Sequence, residues 1–366
     1  MIPPPERGMP PTASANSEPF NAPHENLLET DVLQTRPSFH GLASTLFGIQ
    51  IVNLCFTLMT LGVYHFWGRV KVRKYIFSQT AFAEDRFMYH GTGKELYVGF
   101  LKAAMVFWVP YLALTSLPKY GDLPSWAVSA CSIFAVLILW IFAAVAVVGA
   151  RRYRLSRTSW RGIHFSFHGK VWPFVVIMLK GTALTVATAG AYYPYYQTQR
   201  QEFLVAHSRF GNRSFVFDGV GAELASGFVL TQLLTFFTVM IPLVLAYNFN
   251  PLFLLLLPFT VAPPWIWFLA KKQRFFWSHT QFGPARFYST MTPRGFLNLH
   301  VGNLLLLLVT LGFAWPWTTI RTIQFHLQNL SLIGPLDVET ISQEHSNTSI
   351  TSEGIANSLD GGFELD

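Results

Sequence analysis

Two periodicities alternate along the chain. Apolar runs at about 42–67, 95–117, 124–150, 171–193, 222–246, 252–270 and 295–317 have the lengths of membrane helices. Between them stand short stretches in which aromatic and polar residues alternate about turn residues, the pattern of a β-hairpin. The stretches 74–91, 152–169, 202–219 and 274–291 align without a gap. Thr80, Thr158, Ser208 and Thr280 share one column. Phe82, Trp160, Phe210 and Phe282 share a second, and Phe87, Phe165, Phe215 and Phe287 a third. Each stretch reads as the end of a helix followed by a hairpin, with Phe87 and Tyr89 on one sheet face. A turn at Glu84-Asp85 sets Phe82 opposite Phe87 and Ala81 opposite Met88.

A longer repeat contains this phrase. A shift of 128 carries Gly41 to Gly169, Thr60-Leu61-Gly62 to Thr188-Ala189-Gly190, and Glu95-Leu96 to Glu223-Leu224. A shift of 122 then carries Thr188-Ala189-Gly190 to Thr310-Leu311-Gly312. The copies are 37–165, 166–287 and a partial 288–335. The first opens with only a second strand, Pro37 to His40, and the last closes with only a first strand, Leu330 to Ile333. A lone strand leaves its backbone unpaired. The two are therefore expected to pair into a composite fifth hairpin, with Ser38 opposite Ser331. The fold class that follows is an α-helical multi-pass membrane protein with internal repeats, whose small β-hairpins at the helix ends form a minor β component. Segments 1–36 and 336–366 lack aromatic periodicity and read as disordered tails, the second one acidic.

Of 366 residues, 51% are hydrophobic and 12% charged, which fits the membrane class. The net charge of +7 gathers beside the apolar runs, as in loops kept cytoplasmic by the positive-inside rule. No nucleic-acid-binding motif accompanies it, so nucleic acid is excluded as a partner. Cys55 and Cys131 both lie in apolar runs and offer neither a disulfide framework nor a thiolate metal site. No basic segment precedes an apolar core near the N-terminus, so no signal peptide is read there. If all three runs of a copy cross the bilayer, successive copies are inverted. The fourth phrase, with Lys271, Lys272, Arg274, Arg286 and Arg294, argues instead that every phrase is cytoplasmic. The runs 42–67, 171–193 and 295–317 must then turn back at Gly62, Gly190 and Gly312.

Polar groups inside apolar runs are the candidates for function. Glu95 and Glu223 are repeat-related and open membrane helices, where a carboxylate complements the helix dipole. Lys180 lies mid-run and calls for a carboxylate partner, water or a shallow position. Asn53 and Asn303 are repeat-equivalent and suit interhelical hydrogen bonding, with Gly181 at the intervening position. Lys180, Glu95, Glu223, Asn53 and Asn303 together are the candidate substrate or ion path. His40, His90 and His168 share a column, but Asp218 takes its fourth place and no ligand spacing supports a metal. Gly91-Thr92-Gly93-Lys94 lacks the spacing of a phosphate loop. No paired carboxylates or nucleophile elbow occur, so neither enzymatic activity nor a cofactor is expected.

The words Thr60-Leu61-Gly62, Tyr64, Trp67 and Gly91-Thr92-Gly93 with Glu95-Leu96 resemble the YjgN-like family of bacterial inner-membrane proteins, over about 38–335. Leu42-Ala43-Ser44-Thr45 departs from a Thr-Gly…Glu form common in that family. The resemblance implies a multi-pass protein of the bacterial inner membrane and implies no activity. A solute transporter or channel-like protein is one expectation. The other is a membrane scaffold with a cytoplasmic β-sheet interaction face. The expected partners are the lipid bilayer and, for a scaffold, a second copy or another protein.

Overall fold

In the computed structural model, residues 34–121, 123–336 and Ile341 are described. The chain alternates helical hairpins with β-hairpins. Strands β1 (Gln34–Thr35) and β2 (Ser38–Phe39) open it and lead into helices α1 (Ala43–Met59) and α2 (His65–Gln79). Strands β3 (Thr80–Phe82) and β4 (Asp85–Tyr89) follow. Helix α3 (Gly93–Ala103) runs through a π-turn into α4 (Val109–Tyr120), which returns as α5 (Ser125–Ser156). After β5 (Thr158–Trp160) and β6 (Ile163–Phe167) come α6 (Val171–Ala187) and α7 (Tyr193–Ala206). After β7 (Ser208–Phe210) and β8 (Arg213–Phe217) come α8 (Gly221–Asn248) and, past a 3₁₀ turn, α9 (Leu257–Ser278). The chain continues through β9 (Thr280–Phe282), β10 (Ala285–Ser289), α10 (Pro293–Val309), α11 (Trp315–Gln328) and β11 (Leu330–Ile333).

Every described strand joins one antiparallel sheet, in the order β1-β11-β10-β9-β8-β7-β6-β5-β4-β3-β2. β1 and β2 are consecutive in the chain, yet they stand at opposite ends of that order. The sheet therefore closes on itself through the bend at Arg36-Pro37. This is a larger β component than the minor one expected from the sequence. The helices close as well, since each packs on the next and α11 returns to α1. The result is a ring of five helical hairpins on a ring of five β-hairpins.

Because all the strands share one sheet, all four phrases lie on one side of the helices. The runs at 42–67, 171–193 and 295–317 each fold back within themselves. Their first helices have 17 residues each, about 25 Å, against the ~30 Å hydrocarbon core of a bilayer. Among the described residues, four longer helical segments are long and apolar enough to cross it: Gly93–Ser116, Ser125–Ser156, Gly221–Asn248 and Pro251–Ser278.

The fold-back has a repeated cause. Thr60 Oγ1 donates to the Phe56 carbonyl (2.7 Å) and accepts from the Tyr64 amide (2.9 Å), tying the end of α1 to the start of α2. Thr188 does the same with Leu184 and Tyr192, and Thr310 with Leu306 and Ala314. The glycine of each word sits at φ +95, +96 or +89, where a side chain would be strained.

The helix-to-strand switch is repeated too. Thr80, Thr158, Ser208 and Thr280 each donate their hydroxyl to the carbonyl four residues back in the preceding helix. The first two hairpins turn at Ala83-Glu84 and Arg161-Gly162, with φ positive at both residues, the type I′ pattern. The turn at Glu84-Asp85 is thus corrected by one residue: Phe82 faces Asp85, and Ala81 faces Arg86. Both turns place Phe82 and Phe87 on one face of the sheet, and they differ in which residue stands opposite Phe87. Phe87 instead faces Trp160 of the next hairpin, as Phe165 faces Phe210, Phe215 faces Phe282, and Phe287 faces Leu332. Aromatic pairs thus join the hairpins at three junctions, and Phe287 with Leu332 at a fourth.

The expected pairing of Pro37–His40 with Leu330–Ile333 is corrected: Leu330–Ile333 closes a fifth hairpin with Gln34–Thr35, while Ser38–Phe39 pairs with β3. Gln34 faces Ile333 and Thr35 faces Leu332, equivalent to Asp85 facing Phe82 in the first hairpin. Ser38 faces Ala81 across the neighbouring junction and not Ser331.

Phe82, Trp160, Phe210, Phe282 and the Phe87 column pack together on the concave face, and Ile341 is buried against Trp160, Phe210 and Phe282. The bore of the sheet is therefore filled. Leu336 and Ile341 fall in the segment expected as a tail, and Gln34-Thr35 in the other. The rest of both segments lies outside the described residues.

Where strand meets helix, an aromatic ring lies across a glycine. A Cβ on Gly41, Gly91, Gly169 or Gly219 would stand 2.5–2.6 Å from the ring of Phe39, Tyr89, Phe167 or Phe217, two residues earlier. In the fourth phrase the ring is replaced by Ser289 and the glycine by Met291, both buried. The two exchanges compensate each other in volume.

Candidate functional site

Glu95 and Glu223 belong to the junction between helices and sheet. Glu95 completes a capping box with Thr92 at the start of α3. Its Oε1 accepts from Arg157 at 2.8 Å and its Oε2 from Tyr153 Oη at 2.9 Å. Glu223 lies 3.2 Å from His279 Nε2. Arg157 and His279 occupy one position of the repeat, each at the end of the helix that returns to the sheet. The two carboxylates thus staple the long hairpins, and both pairs are partly exposed, which limits each to about 0–1 kcal/mol.

Lys180 is exposed on α6 and makes no hydrogen bond or ion pair among the described residues. It is not brought to Glu95 or Glu223. Asn53 is buried and donates from Nδ2 to the Gly68 carbonyl (3.2 Å), while Asn303 donates to Thr322 Oγ1 (3.0 Å). Their Oδ1 atoms are buried without a protein partner. At the equivalent place in the middle hairpin the sizes are exchanged: Gly181 lies under the ring of Tyr196, where a Cβ would be 2.0 Å from it. The three histidines are spread around the outer junction, where His90 shares a hydrogen bond with Ser159 (2.8 Å) and His40 with Ser38 (3.0 Å).

Of the five candidates, Asn53 lines a groove of about 480 Å³. Gln50, Asn53, Leu54 and Thr57 come from α1, His65, Gly68, Arg69, Val72 and Arg73 from α2, and Trp315 from α11. The α1 residues recur at three and four positions and so share one helix face. His65, Arg69 and Arg73 recur every fourth residue and form a polar stripe on α2. Arg69 and Arg73 lie among the charges that flank the first apolar run. Their spacing relative to His65 was the signal available. Among the described residues, no carboxylate lines this groove. A second hollow, of about 640 Å³, lies at the closure of the sheet beside Gln34, Arg36, His40 and Arg86.

The outer face of the sheet is polar and basic with apolar spots. Arg286 on that face pairs with Asp218, while Arg161, in the turn of the second hairpin at the sheet's edge, pairs with Asp85 and lies over the Trp160 ring at 4.9 Å. Met88, Val216 and Tyr288 are exposed on the same face.

A family model described as a bacterial protein of unknown function matches residues 34–358. The curated relatives include inner membrane protein YjgN of Escherichia coli K12, 30% identical over 169 residues, or 44% of this chain and 40% of the relative. YjgN of Salmonella typhimurium LT2 is 33% identical over 129 residues, or 35% of this chain and 30% of the relative. The chain thus spans less than half the length of the curated relatives it matches. No solved structure matches it.

Proposed function

The chain belongs to the bacterial family DUF898, and we propose that it serves as a one-sided scaffold of the inner membrane and not as an axial pore. The observation that carries this reading is the closed sheet with a bore filled by Trp160, Phe210 and Phe282. A solute moving along the ring axis would have to displace those side chains. The relatives' name, inner membrane protein, supports the location. Lys271, Lys272 and Arg274, at the end of α9 just before the sheet, support a cytoplasmic sheet under the positive-inside rule. Its outer face, with exposed Met88, Val216 and Tyr288, is the interaction surface for a second copy or another protein.

One observation favours the alternative of a solute transporter: the polar groove of Gln50, Asn53, His65, Arg69 and Arg73. Flux measurements separate the two readings. Purified protein in sealed vesicles is expected to pass neither ions nor small dyes above the rate of empty vesicles. Flux by the wild-type protein that is abolished by Arg69→Gln would reject the scaffold and favour transport.

A further inference from the structure

We propose that the ring is a curvature-sensing wedge, wider in the leaflet beside the sheet than in the other. The wedge follows from the lengths of the helices. The basic ends of α5 and α9, at Arg151 and Lys272, stand about 10 Å from the sheet and mark the membrane surface. The four long segments, of 24–32 residues, rise about 36–48 Å and so cross the ~30 Å core. Helices α1, α6 and α10 rise only about 25 Å, of which about 15 Å lies beyond that surface. Each short hairpin therefore turns back at the bilayer midplane.

The side chains agree with that depth. Met59, Leu61, Val186, Val309, Leu311 and Phe313 at the three turns are exposed, Leu61 by 94% and Leu311 by 88%. No Asp, Glu, Lys or Arg occurs in 51–68, 181–199 or 301–320. In water these turns would be exposed apolar patches, whereas at the midplane they meet the ends of acyl chains. Lys180, nine residues into α6, stands about 14 Å from the sheet, where its stem reaches back to the headgroups.

Six of the ten helices thus occupy one leaflet only. At a helix diameter of about 10–12 Å, the sheet-side leaflet holds roughly 500–700 Å² more protein than the far leaflet. Short and long hairpins alternate around the ring except where α11 packs on α1, with the rings of Phe47 and Trp317 at 5.2 Å. Two short hairpins stand together there, and lipid fills the far leaflet above them. Insertion into one leaflet is what makes interfacial helices sensitive to curvature, and here six helices do it at once. The bilayer relieves the excess area by bending so that the sheet-side leaflet is convex. The inference rests on the membrane reading of the scaffold proposal but not on its sidedness, because convexity is referred to the sheet. With the sheet cytoplasmic, the protein gathers where the inner membrane bulges toward the cytoplasm.

Two measurements on the full chain, with Cys55 and Cys131 replaced, test this. A nitroxide at Met59→Cys, Ala187→Cys or Val309→Cys, one at a time in vesicles of phosphatidylethanolamine and phosphatidylglycerol, is expected to meet oxygen readily and a water-soluble nickel chelate hardly at all. Tyr247→Cys, exposed at the far end of α8, is expected to meet the chelate. Chelate access at the three turns comparable to that at Tyr247→Cys puts them outside the hydrocarbon and overturns the wedge. A fluorophore on Val216→Cys, on the outer face of the sheet, then reports protein density vesicle by vesicle, and an impermeant quencher separates sheet-out from sheet-in molecules. Sheet-out molecules are expected to be about twofold or more denser per unit area in vesicles about 50 nm across than in those about 300 nm across, and sheet-in molecules to show the reverse. A density independent of diameter, or the same trend in both orientations, overturns the proposal even where the depths are as expected. Neither measurement depends on flux, so a leak that rejects the scaffold reading leaves this test standing.

Discussion

The exchange of Phe217 and Gly219 for Ser289 and Met291 between equivalent junctions offers a quantitative test of the packing. A Cβ on Gly219 would lie 2.6 Å from Phe217 Cζ and 2.8 Å from Phe275 Cζ. Ordinary carbon contacts begin near 3.5 Å, so the buried Phe217 ring and the partly buried Phe275 ring must retreat by most of an ångström. Gly219→Met overpacks the junction further and should cost about 1–3 kcal/mol. Phe217→Ser removes a ring that is 8% exposed and should cost about 3–5 kcal/mol. The double variant Phe217→Ser/Gly219→Met reproduces the junction the protein already builds at Ser289 and Met291, which are 1% and 2% exposed. Its cost should fall short of the sum of the singles by about 1–3 kcal/mol, because the methionine fills the space left by the ring. Thermal unfolding in detergent, followed by tryptophan fluorescence, reads this as roughly 2–4 °C per kcal/mol. Additive losses would refute the reasoning.

The remaining outcomes concern the bore, the fold-back and pH. Ile341→Asp should lower the melting temperature, since burying that side chain is worth about 1.5–3 kcal/mol, and should raise binding of an apolar dye to the exposed aromatics. Gly190→Ala, at φ +96, should cost about 1–2 kcal/mol and be read as a lower melting temperature, while Gly48→Ala in mid-helix should not. Burial, with a smaller contribution from His300, lowers the pKa of His326 below 6.5. The unfolded chain then takes up that proton first, so stability should be lost as pH falls through about 6.5, and His326→Gln should flatten the loss.

Much of this architecture is legible because the phrase is local. Helix end, hydroxyl, turn and aromatic columns stand within eighteen residues, and their alternation gives both type and facing. The fold-back of the short runs is legible from Thr-x-Gly together with the charge on the fourth phrase. Register is not legible. Glu84-Asp85 and Ala83-Glu84 are both plausible turns, and only the aromatic contacts between hairpins decide. The closure of the sheet is legible in kind, from two half-hairpins, but its size is not, since pairing between hairpins is a long-range property. Glu95 and Glu223 look like path residues because their partners, Arg157 and His279, are more than fifty residues away. The groove was missed for a related reason: its stripe at His65, Arg69 and Arg73 has the same composition as any membrane-flanking charge.

The closed, one-sided sheet is tested most directly where β1 meets β11. With Cys55 and Cys131 replaced, a Thr35→Cys/Leu332→Cys protein should form an intramolecular disulfide on mild oxidation, because directly opposed residues have Cα atoms about 4.5–5.5 Å apart. Val216→Cys/Gln281→Cys, opposed within the sheet, is the positive control. If the control pair crosslinks while Thr35→Cys/Leu332→Cys stays reduced or links only between molecules, the sheet is open and the account fails.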